Sequence, residues 1–231
     1  MILKKPKASF PDLTSEASLG FFASQALIIG VDEVGRGCLA GPVVAGAAAI
    51  SLDEVLKLGF SLQGARPKGD SEHPLLKVKD SKLIAESDRA PLGRALEPYL
   101  MGFQVEEASV DEIAELNILY ASQLAMVRAV ETLEKRLGRK ADAVLIDGNL
   151  VPMALKDRGH ALVKGDLRAL TIACGSVFAK VYRDELMEQL ELKYPGYGLK
   201  KHKGYPTPFH KAQILALGST PIHRRGFKGV Q

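Results

Sequence analysis

Aliphatic runs and polar breaks alternate along the chain, and the runs follow two periods. Leu27–Val31 is continuous apolar sequence that drives into Asp32 and Glu33, and it reads as a buried strand, Leu27–Asp32. Gly35, Arg36 and Gly37 follow, and Pro42–Ile50 forms a second strand rich in Ala and Gly. Side chains that small require another element to approach the strand closely. Met101–Val105, Ala143–Ile146 and His160–Val163 read as three further strands. The helical period begins at Ser109, which has capping-box spacing to Glu112. Ile113, Leu116, Leu119, Tyr120, Leu124, Val127, Val130 and Leu133 then recur with helical period, Asn117 marks a break or second cap, and Gly138 a stop. Ala169–Tyr194 reads as another long helix. Shorter helices are expected at Leu19–Ala26 and Glu86–Leu96, and from Pro208, capped by Thr207, to Leu217. Residues 1–18 read as a polar, partly mobile lead-in, and Leu52–Lys79 as a long loop with at most one helical turn.

This alternation describes an α/β protein with a central sheet. Three of its strands end in acids: Asp32 with Glu33, Asp147, and Asp166 after Lys164-Gly165. Sites in open α/β sheets form where strand ends converge. Taken alone, an Asp-Glu pair before glycines is better read as a solvated turn. Four converging carboxylates, however, stay ionised only if cations neutralise them. A donor set of oxygens suits Mg²⁺ or Mn²⁺, and two such ions would clamp an in-line phosphodiester displacement. Adjacent strand residues face opposite ways, so Asp32 and Glu33 are expected to share a site only if the strand ends or bulges between them.

Composition narrows the class. The chain has 231 residues, 46% hydrophobic, enough for one large domain. It carries 31 Lys+Arg against 27 Asp+Glu, a net charge of +4 that hints at a polyanionic partner. Lys82, the helical set Ser176, Lys180 and Arg183, the run Lys200–Lys203 and His223-Arg224-Arg225 suit phosphates around a metal site. Tyr205 is a candidate for stacking on a sugar or base, or equally for a core position. Two cysteines make no disulfide framework, and five scattered histidines have no zinc spacing. With no signal peptide and no spanning run, a cytoplasmic protein is expected. Gln189–Leu192 loosely resembles a sliding-clamp peptide, but it lies inside an expected helix, so no protein partner is assigned.

Several ordered motifs together resemble bacterial ribonuclease HII. They are GVDEVGRGCLAGPVVAGA from Gly30, DSK from Asp80, ASVDEIAELNIL from Ala108 and LIDGN from Leu145. KGD from Lys164, SVFAKVYRDELM from Ser176, YPGYGLKKHKGYPT from Tyr194 and TPIHRRGF from Thr220 complete the set. The resemblance implies an RNase H-like mixed central sheet flanked by helices. It divides the chain into a lead-in (1–26), a catalytic domain (27–194) and a small helical C-terminal extension (195–231). It implies a monomeric endonuclease that cuts the RNA strand of RNA–DNA hybrids and nicks 5′ of ribonucleotides embedded in duplex DNA. Asp32, Glu33, Asp147 and Asp166 match the family's catalytic, metal-binding acids. Gly35, Arg36 and Gly37 match its segment sensing the ribose 2′-OH, and Tyr205 its junction-stacking tyrosine. Lys82, Ser176, Lys180 and Arg183 match positions near the substrate backbone.

The mechanism this implies uses two Mg²⁺ or Mn²⁺ ions bridged by Asp32 and yields 5′-phosphate and 3′-hydroxyl ends. The chain departs from the family pattern in its long Leu52–Lys79 segment, at Leu83, in the run Ile172-Ala173-Cys174-Gly175 and at Gly226. Two rival readings are a sugar-kinase-like ATPase and a hybrid-binding module without chemistry. The first would need a duplicated second domain, for which the chain is short; the second leaves acids that repel phosphate unless a metal intervenes.

Overall fold

The computed structural model describes residues 10–67 and 72–230. The expected lead-in before Phe10 and residues 68–71 of the expected loop, Gly69 among them, lie outside that range. The apolar runs assemble into one mixed sheet of five strands: β1 (Ile28–Val34), β2 (Val43–Ile50), β3 (Leu100–Ala108), β4 (Ala143–Asp147) and β5 (Gly159–Leu162). Their order is β3-β2-β1-β4-β5. The first three strands run antiparallel in sequence, and β4 and β5 lie parallel to β1.

Among the described residues eight α-helices surround the sheet: α1 (Thr14–Ser18), α2 (Leu52–Lys57), α3 (Pro74–Lys77), α4 (Glu86–Leu96), α5 (Val110–Leu137), α6 (Leu170–Lys193), α7 (Leu199–His202) and α8 (Pro208–Leu217). Alternate strand residues supply two cores. Ile29, Val31, Val144 and Ile146 pack with Ala125, Ala129 and Leu133 of α5 on one face. Ile28, Ala48 and Leu145 pack with Ile172, Ala173 and Val177 of α6 on the other. A third, smaller core joins Met187 of α6 to Tyr197, Leu199 and Ile214 of the C-terminal extension.

The Ala/Gly content of β2 has its counterpart in α6. A Cβ on Gly46 would collide with the Gly175 carbonyl oxygen, and one on Gly30 with the backbone at Thr171–Ile172. Helix and sheet therefore meet backbone to backbone, with no side chain between them at these points. The capping box at Ser109 is present in full. Asn117 leaves the helix at φ 64, ψ 167, and its Oδ1 accepts from the Leu119 N–H at 2.9 Å, so it re-caps the chain as expected.

Several expectations are corrected. Leu19–Ala26 is turn and coil, and the helix falls earlier, at Thr14–Ser18. That helix docks through a buried acid rather than an apolar stripe, which is why periodicity does not reveal it. Glu16 is fully buried, and its Oε1 accepts from the Thr171 N–H at 2.9 Å and the Thr171 hydroxyl at 2.8 Å. The Leu52–Lys79 segment holds two helices, α2 and α3, and Gly64 lies against the Leu13 backbone, so this stretch packs rather than loops free. β1 continues through Val34, and β5 ends at Leu162, so Asp166 sits in a separate 3₁₀ turn, Gly165–Leu167.

Gly46→Ala should destabilise the protein by about 2 kcal/mol or more, because the displaced atoms are backbone. Urea unfolding checks this as a lower midpoint at unchanged slope. Burial pushes the Glu16 carboxyl up to about 7, against the pull of the Thr171 N–H and hydroxyl. The folded state thus holds this proton more tightly than the unfolded chain. The stability it contributes below pH 4.5 is lost as pH rises towards about 7. Unfolding midpoints measured across that window should fall further for the native protein than for Glu16→Gln.

Candidate active site

The parallel β1–β4 ladder ends at Val31↔Ile146, so the next residues on the two strands are Asp32 and Asp147. Adjacent strands run about 4.8 Å apart, which makes these two acids lateral neighbours. Asp32 lies two residues from Gly30 and Asp147 two from Leu145, so both point to the α6 face. There the Ser176 hydroxyl of α6 acts on the Asp32 carboxylate and favours its charged form. Asp166 joins from the 3₁₀ turn, where the neighbouring Gly165 N–H donates to Asp147 Oδ1 at 2.6 Å.

Glu33 reaches the group differently from expectation. No end or bulge separates it from Asp32; both stay in register with β2, opposite Ala45 and Gly46. Beyond Val31, however, β4 no longer covers the edge of β1, and the Glu33 carboxylate lies close enough to feel Asp147. Its Oε1 accepts from Arg36 Nη1 at 3.1 Å.

Electrostatics marks these groups as a cluster. Burial, then the charges of Glu33, Asp147 and Asp166, hold the Asp32 carboxyl well above the usual carboxylate range. Burial raises Glu33 as well, partly offset by Arg36, and burial with the Asp147 and Asp80 charges raises Asp166. The Lys82 ammonium loses solvation here, yet the pull of Asp80, Asp166 and Asp32 outweighs that loss and raises it. The donors are carboxylate oxygens in a partly desolvated setting, which fits a hard divalent cation. They do not form a ready cage: among the described residues no three acidic, His or Cys side chains are drawn together to hold an ion. The reason is visible in the hydrogen bonds. Asp32 Oδ1 takes the Glu33 N–H at 2.7 Å, Asp147 takes Gly165 and Glu33 takes Arg36.

The other expected site residues divide. Ser81 Oγ lies 3.1 Å from Ser176 Oγ, which brings the Asp80–Lys82 turn to the acids. Arg89 fixes that turn, donating to the Ser81 carbonyl at 2.9 Å and to Asp184 Oδ2 at 3.1 Å. Lys180 is committed to Asp184 Oδ1 at 2.6 Å. Gly35-Arg36-Gly37 forms a turn directly after β1, with Arg36 and Gly37 exposed. Tyr205 is 38% exposed and feels the Lys82 and Arg183 charges.

Arg183 is a correction. It is fully buried, with its guanidinium spent on backbone carbonyls, so it braces the protein instead of meeting substrate. Arg224, expected in a basic surface run, is equally buried. The histidines are less scattered than their numbering suggests. His202 stacks on His210 at 4.3 Å between centroids, and His210 Nε2 lies 3.3 Å from His223 Nε2. His210 Nδ1 meets the Tyr205 carbonyl at 3.0 Å and must donate there, so the pair holds the backbone of Tyr205. Burial lowers His210 to about 4, which keeps it neutral. Arg89 and His210 carried no sequence signal beyond sitting near the recognised motifs, whereas His202 and His223 lie within them.

A mixed sheet with acids at its central strand ends, helices on both faces and a helical tail is an RNase H-like enzyme. The ribonuclease H2 of Pyrococcus horikoshii OT3 has this architecture: TM-score 0.66 and 26% identity over 87% of this chain and 94% of that one. Bst-RNase HIII, solved with Mn²⁺, shares the fold at TM-score 0.60 and 19% identity over 88% and 68% of the two chains. The family profile described as Ribonuclease HII matches residues 65–230. A protein of Magnetococcus marinus named Ribonuclease HII is 44% identical over 96% of this chain and 94% of its own length. The chain belongs to the ribonuclease HII family and is therefore a hydrolytic nuclease of the ribonuclease H class, acting on RNA–DNA hybrids. Among the described residues no helix is long and apolar enough to cross a membrane.

If the acids repel one another, neutralising one should relieve the fold. Without divalent metal, Asp32→Asn should melt at or above the native temperature. Added Mg²⁺ should raise the native melting temperature and leave that of the variant nearly unmoved.

Proposed function

We propose that this nuclease cuts hybrids and also nicks duplex DNA 5′ of a single embedded ribonucleotide, leaving 5′-phosphate and 3′-hydroxyl ends. The observation that carries the reading is the lateral pairing of Asp32 with Asp147 directly before the open Gly35–Gly37 turn. Chemistry and ribose recognition are thereby set side by side on one strand end.

Asp32, Glu33, Asp147 and Asp166 would hold two divalent cations, Mg²⁺ or Mn²⁺. When bound, these supply Lewis acidity towards the scissile phosphate and its attacking water. The complex of Bst-RNase HIII with Mn²⁺ supports a divalent ion in this fold. The chain's own residues do the rest. Lys82, beside Asp166 and Asp32, faces the phosphate backbone with a charge that its acidic neighbours maintain. Ser176 favours the charged form of Asp32, opposing in part the effect of its burial. The Gly35–Gly37 backbone meets the 2′-OH, the group that separates ribose from deoxyribose. Tyr205, anchored through its carbonyl by His210, offers a partly exposed ring to the adjoining sugar.

The test is a duplex with one ribonucleotide, assayed in Mg²⁺ and in Mn²⁺. The native protein should nick once, 5′ of the ribose, and spare the all-DNA duplex. Asp147→Asn should lose at least about 100-fold in rate, the scale of several kcal/mol of transition-state charge stabilisation. Equal rates for the two proteins would remove Asp147 from the site. Release of phosphate from ATP without nicking would instead favour the kinase-like reading.

A further inference from the structure

Among the described residues, Arg183 and Arg224 are the largest side chains that are fully buried. One comes from α6 and the other from the C-terminal extension, yet they converge beneath the same loop. Arg224 donates from Nε to the Gly41 carbonyl at 2.8 Å, from Nη1 to that of Arg36 at 2.9 Å and from Nη2 to that of Pro42 at 2.9 Å. Arg183 donates to the carbonyls of Lys203 at 2.7 Å and Ala40 at 3.1 Å. Gly35, at φ +91, lies directly on the Arg183 side chain, where a Cβ would collide with Nε. Among the described residues neither guanidinium has a carboxylate partner.

Two buried cations without a counter-anion are costly; here carbonyl dipoles offset them, with the Phe227 ring 5.4 Å from the Arg224 guanidinium. That cost has a geometric return. In a trans peptide the C=O and the next N–H point opposite ways. Drawing the Arg36 carbonyl inward therefore turns the Gly37 N–H outward. The N–H groups of Arg36 and Gly37 donate to no protein acceptor among the described residues. The space where a Gly37 side chain would stand is empty. The result is an unused Gly37 donor on the outside of a loop whose underside carries two positive charges, an arrangement that receives an electronegative ligand.

We propose that Arg224, together with Arg183, is a positioning residue for ribose recognition: the two guanidiniums hold the carbonyls of Arg36, Ala40, Gly41 and Pro42 inward and so present the Gly37 N–H to the ribose and its phosphate. This rests on reading Gly35–Gly37 as the ribose-contacting segment. The uncompensated charge underneath is completed by the phosphate of the bound strand.

The test is a ratio: the Ki of an all-DNA duplex divided by the KM of the same duplex carrying one ribonucleotide. Arg224→Lys keeps the charge and loses the fork; Arg224→Gln loses both. Each should lower the ratio at least about fivefold, the scale of one lost hydrogen bond. A brace that serves folding alone would reduce kcat through lost folded protein and leave the ratio untouched, which would overturn the proposal. A native ratio near one would instead defeat the ribose reading of the loop, a separate failure. Should the variants not fold, amide NMR of the native protein decides. The Gly37 N–H resonance should shift with the ribonucleotide duplex and not with all-DNA, and an unresponsive Gly37 overturns the proposal.

Discussion

The backbone contact between α6 and the sheet governs everything else in this molecule. Gly30 and Gly46 on the strands meet Thr171, Ile172 and Gly175 on the helix with no room for a Cβ. A side chain at any of the glycine positions would lift the helix off the sheet. Because nothing intervenes, the residues that follow on the same helix stand at fixed heights. Ser176 arrives at Asp32, Lys180 and Asp184 one turn and two turns further on, and Arg183 under the loop that leaves β1. One close approach thus sets the register between the acids of β1 and the α6 groups that act on them.

Charge is distributed unevenly above that contact. Asp32, Glu33, Asp147 and Asp166 crowd the strand ends, where burial and mutual repulsion raise three of them. A few residues away, two buried guanidiniums hold the neighbouring loop. Acids and buried cations are thereby separated by only one turn of chain. Such a division suits a strand of phosphates bound across metal ions, since bare carboxylates would repel it.

Much of this was legible in the chain. Leu27–Val31 ending in an acid pair, the capping box at Ser109 and the Thr207-Pro208 start are local signals, and local signals survive folding. The Ala/Gly content of β2 announced a close neighbour, although it could not say that α6 supplied it. What escaped was decided by tertiary context. α1 is too short for a periodic stripe and docks through Glu16. Arg183 and Arg224 resembled surface cations because sequence shows charge and not the carbonyls that satisfy it. Glu33 joins the group through the end of the β1–β4 ladder, not through a bulge, and ladder length is a property of two strands at once.

The central claim is that the four carboxylates share divalent ions once nucleic acid is bound. Anomalous diffraction from crystals grown with Mn²⁺ and an uncleaved ribonucleotide-containing duplex addresses it directly. The account predicts two manganese peaks about 4 Å apart, ligated by Asp32, Glu33, Asp147 and Asp166 and by the phosphate 5′ of the ribose. Manganese bound elsewhere, or a duplex seated across the site with no ion between acid and phosphate, would contradict it.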